Sequence, residues 1–199
     1  MAGEIEVPKL KLTTEGALRA YTIGELKPRS GPIVLCDYDP NWPELFECEA
    51  ARIRAALGAR VELLEHVGST SVPGLPAKPF IDIVLAVADS SDESTYAPDL
   101  ERAGYVLRIR EPDWFEHRVF IRPDTKLHLH VFTPGCPEIA QMLLFRDWLR
   151  QHPEDRELYA ATKRELAKQE WKFVQHYADA KTSVVRQILS KARAAADPR

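Results

Sequence analysis

Apolar residues recur at short, strand-like spacings in the first two thirds of the chain and at helical spacing after about residue 136. The turn RPDTK between the last two predicted strands indicates an antiparallel hairpin. Helices are predicted from Pro43 to Gly58, in the segment that ends at Gly104, and in three stretches after Pro137. Six segments whose apolar residues alternate or run together are predicted as strands: 33–36, 60–67, 80–87, 105–110, 116–122 and 127–132.

This pattern predicts one α+β domain, with a mixed β-sheet, flanking helices and a C-terminal helical part. Residues 1–30 are polar and interrupted by glycine and proline, so we interpret them as an N-terminal extension that packs on the domain or is partly disordered. The domain would cover residues 31–199. Its sheet half would span about 31–135 and its helical half about 136–196.

Composition and charge exclude several classes of function. The chain of 199 residues is 45% apolar and 29% charged, and its net charge of −3 gives no general basic surface for duplex nucleic acid. No apolar leader precedes the domain and no run approaches the roughly 18 apolar residues of a membrane span, so we expect a cytoplasmic protein without a membrane partner. Cys36, Cys48 and Cys136 form no CxxC pair and are expected to be free thiols.

The segment 66–87, HVGSTSVPGLPAKPFIDIVLAV, places small polar residues directly after a predicted strand. Gly68, Ser69 and Thr70 allow close approach of the backbone, and their N–H groups and hydroxyls suit phosphate oxygens. Lys78 stands between two prolines in a stiffened loop, from which its amine could reach a phosphate. An ordinary turn at the end of a strand is the alternative.

Two further motifs carry possible metal ligands. Asp82 interrupts the apolar run PFIDIVLAV, where an ionised carboxylate is costly to bury. It either faces a cleft and holds a divalent cation, or is a buried structural acid bonded to the preceding loop. His128 and His130, in LHLHVF, share one face of a strand and could be metal ligands or a proton donor with its neighbour. Structural roles for both histidines are the alternative.

These motifs resemble a known family. A GS pair, a spacer and an aspartate that opens an apolar strand resemble the DNA polymerase beta-like nucleotidyltransferase superfamily. The strings YDPNWPELFE, EHVGSTSVPGLPAKPFIDI, LHLHVF and LLFRDWLRQHP are similar to the GrpB family, whose domain also occurs fused to dephospho-CoA kinases. The resemblance covers about residues 33–192. It implies a nucleotidyltransferase-type fold with a cleft beside the GS turn that holds a nucleotide triphosphate and Mg²⁺.

Val84 departs from the superfamily pattern, in which a second acid follows two residues after the first. That acid would share a strand face with Asp82 and help to hold a second metal, so its absence argues against ordinary two-metal chemistry. One aspartate and two histidines would suit one transition metal and bind Mg²⁺ only weakly, because Mg²⁺ prefers oxygen ligands.

Four more basic residues are candidates for an anion site. Arg118 lies within a predicted strand and could clamp a phosphate bidentately. Arg146 lies on the apolar stripe of its helix and either pairs with a buried acid such as Asp82 or joins the anion site. Lys163 and Lys181 match the family pattern, although solvated helix faces are the alternative for both.

Together these expectations describe a small-molecule nucleotidyltransferase whose partners are a nucleotide triphosphate and a small acceptor. Asp82, His128 and His130 would be its catalytic and metal-binding residues, with Mg²⁺ as the first expectation and Mn²⁺ or another transition metal as alternatives. Two other functions stay open: a degenerate module that binds nucleotide or CoA-like phosphate without turnover, which Val84 favours, and a phosphate hydrolase or group transferase built on the two histidines. The phosphate-binding set would comprise Gly68, Ser69, Thr70, Lys78, Arg118, Arg146, Lys163 and Lys181.

Overall fold

The computed structural model describes residues 12–29 and 31–196, and it confirms the α+β class. Its strands are β1 Leu63–Val67, β2 Ile81–Ala86, β3 Val106–Glu111, β4 His117–Arg122 and β5 Thr125–Phe132. Its helices are α1 Glu15–Tyr21, α2 Trp42–Leu57, α3 Ala97–Arg102, α4 Pro137–Gln151, α5 Pro153–Ala167, α6 Val174–Ala180 and α7 Thr182–Ala196. No helix in these two ranges is both long and apolar enough to span a membrane.

The five strands form one mixed sheet in the order β1-β2-β5-β4-β3. Only β2 and β5 run parallel; the other neighbours are antiparallel, including the predicted hairpin of β4 and β5. The parallel register sets Asp82 opposite His128 and Val84 opposite His130. Because side chains alternate along a strand, all four side chains project from the same face of the sheet.

The opposite face of the sheet packs on α2 and α3 and forms the main core. Its buried sheet residues alternate with those of the polar face: Ile81, Ile83, Leu85, Leu127, Leu129 and Val131. On the polar face, Val84 is fully buried against Phe132 and Ile139, so an apolar patch lies directly beside Asp82. The helical half, α4 to α7, covers this second face.

The prediction of a strand over residues 33–36 is wrong, because these residues form no strand. Cys36 makes a single bridge to Ala77, with two backbone hydrogen bonds of 2.9 Å. Ala77 belongs to the loop that precedes β2, so the short apolar run pairs with a loop and not with an edge of the sheet. Helix α6 was not predicted, because its seven residues are too few to show a helical period.

The described part of the extension, residues 12–29, packs on the domain. Its helix α1 buries Leu18, and Thr22 bridges to Ile109 of β3. Residues 1–11 of the predicted extension lie outside the described residues, as does residue 30. The three cysteines are free, as expected.

The structure places Arg118 on the core face of the sheet, away from Asp82, which corrects the expectation that it clamps a ligand. Strand alternation brings Val119 and not Arg118 to the face that carries His130. The buried Arg118 guanidinium donates from Nε to Glu93 at 2.5 Å and from Nη2 to Glu116 at 3.1 Å. Its role is therefore to hold the loop before α3 against the sheet.

Arg146 is likewise structural and does not pair with Asp82. Its Nη1 donates to Glu65 Oε2 at 2.8 Å and to the His66 carbonyl at 2.9 Å, and its Nε donates to Asp147 at 2.7 Å. These bonds fix α4 against β1. The apolar stripe of α4 tolerates Arg146 because the strand supplies acceptors at that position.

The structural role of the buried Arg118 can be tested by substitution. Replacing it by methionine leaves Glu93 with half of its charged partners, and we expect the free energy of unfolding in urea to fall by about 2 kcal/mol. Arg110 bonds to the same carboxylate from a position that is 46% exposed, against 4% for Arg118. Arg110→Met should therefore cost at most about 1 kcal/mol, and equal losses would contradict a buried structural role for Arg118.

Candidate functional site

A pocket of about 510 Å³ opens between the polar face of the sheet, the helical half and the segment 12–29. Much of its lining is apolar. The polar side chains and the glycine that line it include Gly68, Ser69, Lys78, Asp82, His128, His130, Lys163 and Lys181, and Thr22, Lys27 and Gln175 line it as well. The structure thus brings together eight of the eleven residues predicted for the site; Thr70, Arg118 and Arg146 are not among them.

Asp82 and the two histidines form the first cluster of this pocket. His128 Nδ1 donates to Asp82 Oδ1 at 2.9 Å, and His130 Nε2 lies 3.9 Å from the same oxygen. One ligand atom from each residue lies within 4.8 Å of the others. The Phe80 ring stacks on His128 with a centroid distance of 5.0 Å, which holds the imidazole in place.

The cluster keeps Asp82 ionised. Burial alone would raise the pKa of Asp82, but hydrogen bonds and positive charge from His128 and His130 outweigh it and hold that pKa well below its usual value. Such a carboxylate is charged near neutral pH and can bind a cation. It is an unsuitable general base, because its affinity for protons is low.

The donor set fits one divalent metal. A carboxylate oxygen with two imidazole nitrogens is typical of sites for Mn²⁺, Fe²⁺ or Zn²⁺, whereas Mg²⁺ favours oxygen alone. The position where the superfamily pattern places a second acid holds Val84, which is fully buried in an apolar cluster. The arrangement therefore offers ligands for one metal and not for the two-metal site of that pattern.

Glu111 and His117 support His130 from outside the metal-ligand group, and neither was predicted as a site residue. His117 Nδ1 lies 2.7 Å from Glu111 Oε2, and its Nε2 lies 3.0 Å from His130 Nδ1. Burial lowers the pKa of His117 to about 4, so the neutral ring keeps its proton on Nδ1, facing the carboxylate. Its Nε2 then accepts from His130 Nδ1–H, which orients the His130 ring so that its Nε2 faces Asp82.

Gly68 brings the GS turn into contact with Asp82. Its φ of +69° is a left-handed conformation, and a Cβ there would lie 2.9 Å from Asp82 Cβ and closer still to its Oδ2. Ser69 follows in a 3-10 turn and faces the pocket. Thr70 does not face it, because its hydroxyl donates to the Phe80 carbonyl at 3.1 Å and lies 3.1 Å from His66 Nε2.

Lys163 is the most deeply buried amine at the site, with 2% of its surface exposed. It extends from α5, and its Nζ donates to Ser69 Oγ at 3.0 Å and to the Pro76 carbonyl. Burial, together with the charges of Lys181 and Arg164, lowers the pKa of Lys163 to about 6. The amine is therefore largely neutral near pH 7 and would gain a proton when an anion binds beside it.

Lys78 and Lys181 flank the Tyr177 ring, with Nζ atoms 5.8 and 4.8 Å from its centroid. Burial, followed by the charge of Lys181, lowers the pKa of Lys78 to about 8, and burial lowers that of Lys181. Three amines thus lie near one another in the pocket, and the charge of Lys181 destabilises the charged forms of Lys78 and Lys163. An anionic ligand would relieve this repulsion.

Comparisons with known proteins agree with this architecture. The family model described as GrpB protein matches residues 32–191. A UPF0157 protein of Halalkalibacterium halodurans is 61% identical over 91% of this chain and 93% of its own length. The crystal structure of conserved protein GrpB from Enterococcus faecalis superposes with a TM-score of 0.71 at 30% identity, covering 80% of this chain and 96% of that one. A dephospho-CoA kinase of Mycolicibacterium paratuberculosis is 28% identical over 73% of this chain and 42% of the kinase.

The contact between Gly68 and Asp82 can be tested with alanine. Gly74 also has a positive φ, +77°, but a Cβ there meets nothing within 4 Å. We expect Gly74→Ala to cost about 1 kcal/mol of unfolding free energy, from backbone strain alone. Gly68→Ala should cost about 2 kcal/mol more, because its Cβ must also displace Asp82. Equal costs in urea denaturation would show that the turn does not constrain the carboxylate.

Proposed function

The chain belongs to the GrpB family, and we propose that it is a metal-dependent nucleotidyltransferase acting on a small molecule. The observation that carries this proposal is the convergence of two different sites in one pocket. A group able to hold a metal, Asp82 with His128 and His130, faces the same cavity as the lysine-lined end. Nucleotidyl transfer from a triphosphate needs both, since it must neutralise several phosphate charges and hold the α-phosphorus in line with the acceptor.

The triphosphate would bind at the lysine end of the pocket. Ser69 Oγ already accepts from Lys163, so its hydroxyl proton is free to donate to a phosphate oxygen. Lys78, Lys163 and Lys181 would each donate to the phosphates and be protonated as the anion arrives. The left-handed Gly68 allows the phosphates to approach the backbone of the turn.

Asp82, His128 and His130 would hold the divalent metal, with Mn²⁺ or another transition metal matching the nitrogen donors better than Mg²⁺. When bound, the metal would neutralise charge on the phosphates. Glu111 and His117 would fix the ring of His130 in the tautomer that presents Nε2. In the reaction, an acceptor oxygen or nitrogen bonds to the α-phosphorus, the bond between that phosphorus and the bridging oxygen breaks, and pyrophosphate leaves.

A binding module without turnover is the second candidate, and the burial of Val84 favours it. With one acid on β2, the pocket has ligands for a single metal, which suits the recognition of phosphates as well as it suits catalysis. The two candidates share the pocket and the ligand class. They differ in whether pyrophosphate is released.

Calorimetry with ATP, CTP, GTP and UTP in Mg²⁺, Mn²⁺ or EDTA tests the proposal. We expect at least one triphosphate to bind at least tenfold more tightly with metal than in EDTA. Asp82→Asn should abolish that difference, because it removes the charged ligand and keeps the shape of the side chain. Asp113→Asn, in an exposed turn, should leave it unchanged.

Pyrophosphate release, measured on the same samples with a panel of alcohols, amines and phosphate monoesters, separates the two candidates. Release that requires Asp82 supports the transferase. Metal-dependent binding without release from any acceptor would support the binding module instead. The absence of binding under every metal condition would overturn both candidates.

The lowered lysine pKa values give a pH dependence with a definite sign. Lys78 and Lys163 have pKa values of about 8 and 6 without ligand, so an anion takes up protons on binding and its affinity falls as pH rises through 8. Sulfate serves as the probe, because its own charge is constant over this range. Between pH 7.5 and 9.5 its Kd should rise about tenfold or more, and Lys78→Met should bind more weakly with a flatter profile. A Kd independent of pH would contradict an anion site at these lysines.

A further inference from the structure

Much of the pocket lining is apolar, and part of it comes from outside the matched family domain, from the segment 12–29, which also contributes Thr22 and Lys27. That domain begins at residue 32, whereas Leu18, Tyr21 and Leu26 line the cavity from the segment 12–29. Phe173, next to α6, lines the same cavity. We call Leu18, Tyr21, Leu26 and Phe173 the apolar wall.

The segment that carries the apolar wall is attached on both sides of the pocket. Towards the sheet, Ile23 N–H donates to the Arg108 carbonyl of β3 at 2.8 Å. Towards the helical half, Arg29 N–H donates to the Lys172 carbonyl at 2.9 Å, and Thr13 N–H donates to Asp179 Oδ2 at 2.7 Å. The segment therefore spans the pocket from β3 to α6, and the wall is formed before any ligand arrives.

A ligand made only of phosphates would leave this wall in contact with water. Apolar surface removed from water contributes about 25 cal/mol per Å², so a ligand that covers the wall binds more tightly than one that does not. Pockets that combine an apolar lining with a few convergent charged groups bind molecules with an apolar body and a charged end. The distribution of side chains in this pocket has that form.

We propose that the pocket takes an amphipathic anion, whose phosphate lies at the three lysines and whose aromatic or aliphatic body lies against the apolar wall. This inference rests on the proposed function and names the class of substrate for the same site. The apolar body has two possible sources. It is either the base of the nucleotide or the body of the acceptor, and the two are separated by experiment.

Two pairs of probes test the proposal on the full chain by calorimetry: phosphate with phenyl phosphate, and tripolyphosphate with ATP. The ring-bearing member of at least one pair should bind about tenfold more tightly than its partner. Leu26→Asn should remove most of that gain and leave the Kd of the ring-free member unchanged, because the substitution removes apolar surface from a half-buried position and no charge from the pocket. Leu45→Asn, at an exposed position of α2, is the matched control and should change neither value.

Each outcome has a distinct meaning. A gain confined to ATP assigns the wall to the nucleotide base, and a gain confined to phenyl phosphate assigns it to the acceptor. Gains in both pairs show that the wall accepts a ring from either. If neither ring adds affinity, or if Leu26→Asn preserves the gain, the amphipathic class is overturned even where tripolyphosphate binds. If no anion in either pair binds, both the proposed function and the amphipathic class are overturned.

Discussion

The parallel pairing of β2 with β5 is the constraint on which the rest of the site depends. It places a carboxylate beside an imidazole in the middle of a sheet, where either group alone would be costly to bury. The carboxylate of Asp82 accepts a hydrogen bond from His128, and His130 Nε2 lies 3.9 Å from the same oxygen. Because both strands are internal to the sheet, their spacing cannot change without disrupting backbone hydrogen bonds on either side. The arrangement of the Asp82, His128 and His130 side chains is thus set by rigid elements.

The lysine end of the pocket, in contrast to the Asp82 cluster, brings groups of like charge together. Burial lowers the pKa values of Lys78, Lys163 and Lys181, and the charge of Lys181 lowers those of Lys78 and Lys163 further. Natural proteins accept such local conflicts at functional sites and compensate for them elsewhere. Here the compensation is visible in the packing of α5 and α7, whose buried Tyr159 and Ile188 share an apolar cluster with the loop before β2. Destabilising charge and stabilising packing lie within the same few turns of helix.

Much of the sheet could be predicted from local pattern, because alternation and turn residues act over a few positions. The same alternation placed His128 and His130 on one face. Alternation could not show whether Arg118 lies on the same face of the sheet as Asp82, since that depends on the order and direction of non-adjacent strands. For Thr70 the sequence shows a hydroxyl in a turn but not the carbonyl that accepts from it. Glu111 became part of the site only through contacts between β3, β4 and β5, which no short motif encodes.

The segment 12–29 illustrates a different limit of sequence patterns. Its composition is polar and its helix is seven residues long, so neither hydropathy nor motif marks it as part of a pocket. Yet Leu18 is buried and lines the cavity that the metal-ligand group also faces. The family domain carries Asp82, the two histidines and Lys78, Lys163 and Lys181, and the segment that precedes it adds Leu18, Tyr21 and Leu26 to the apolar lining. The lining of the pocket therefore depends on a short segment outside the matched domain as well as on the sheet that positions Asp82, and substitutions in that segment would change the lining without altering β2 or β5.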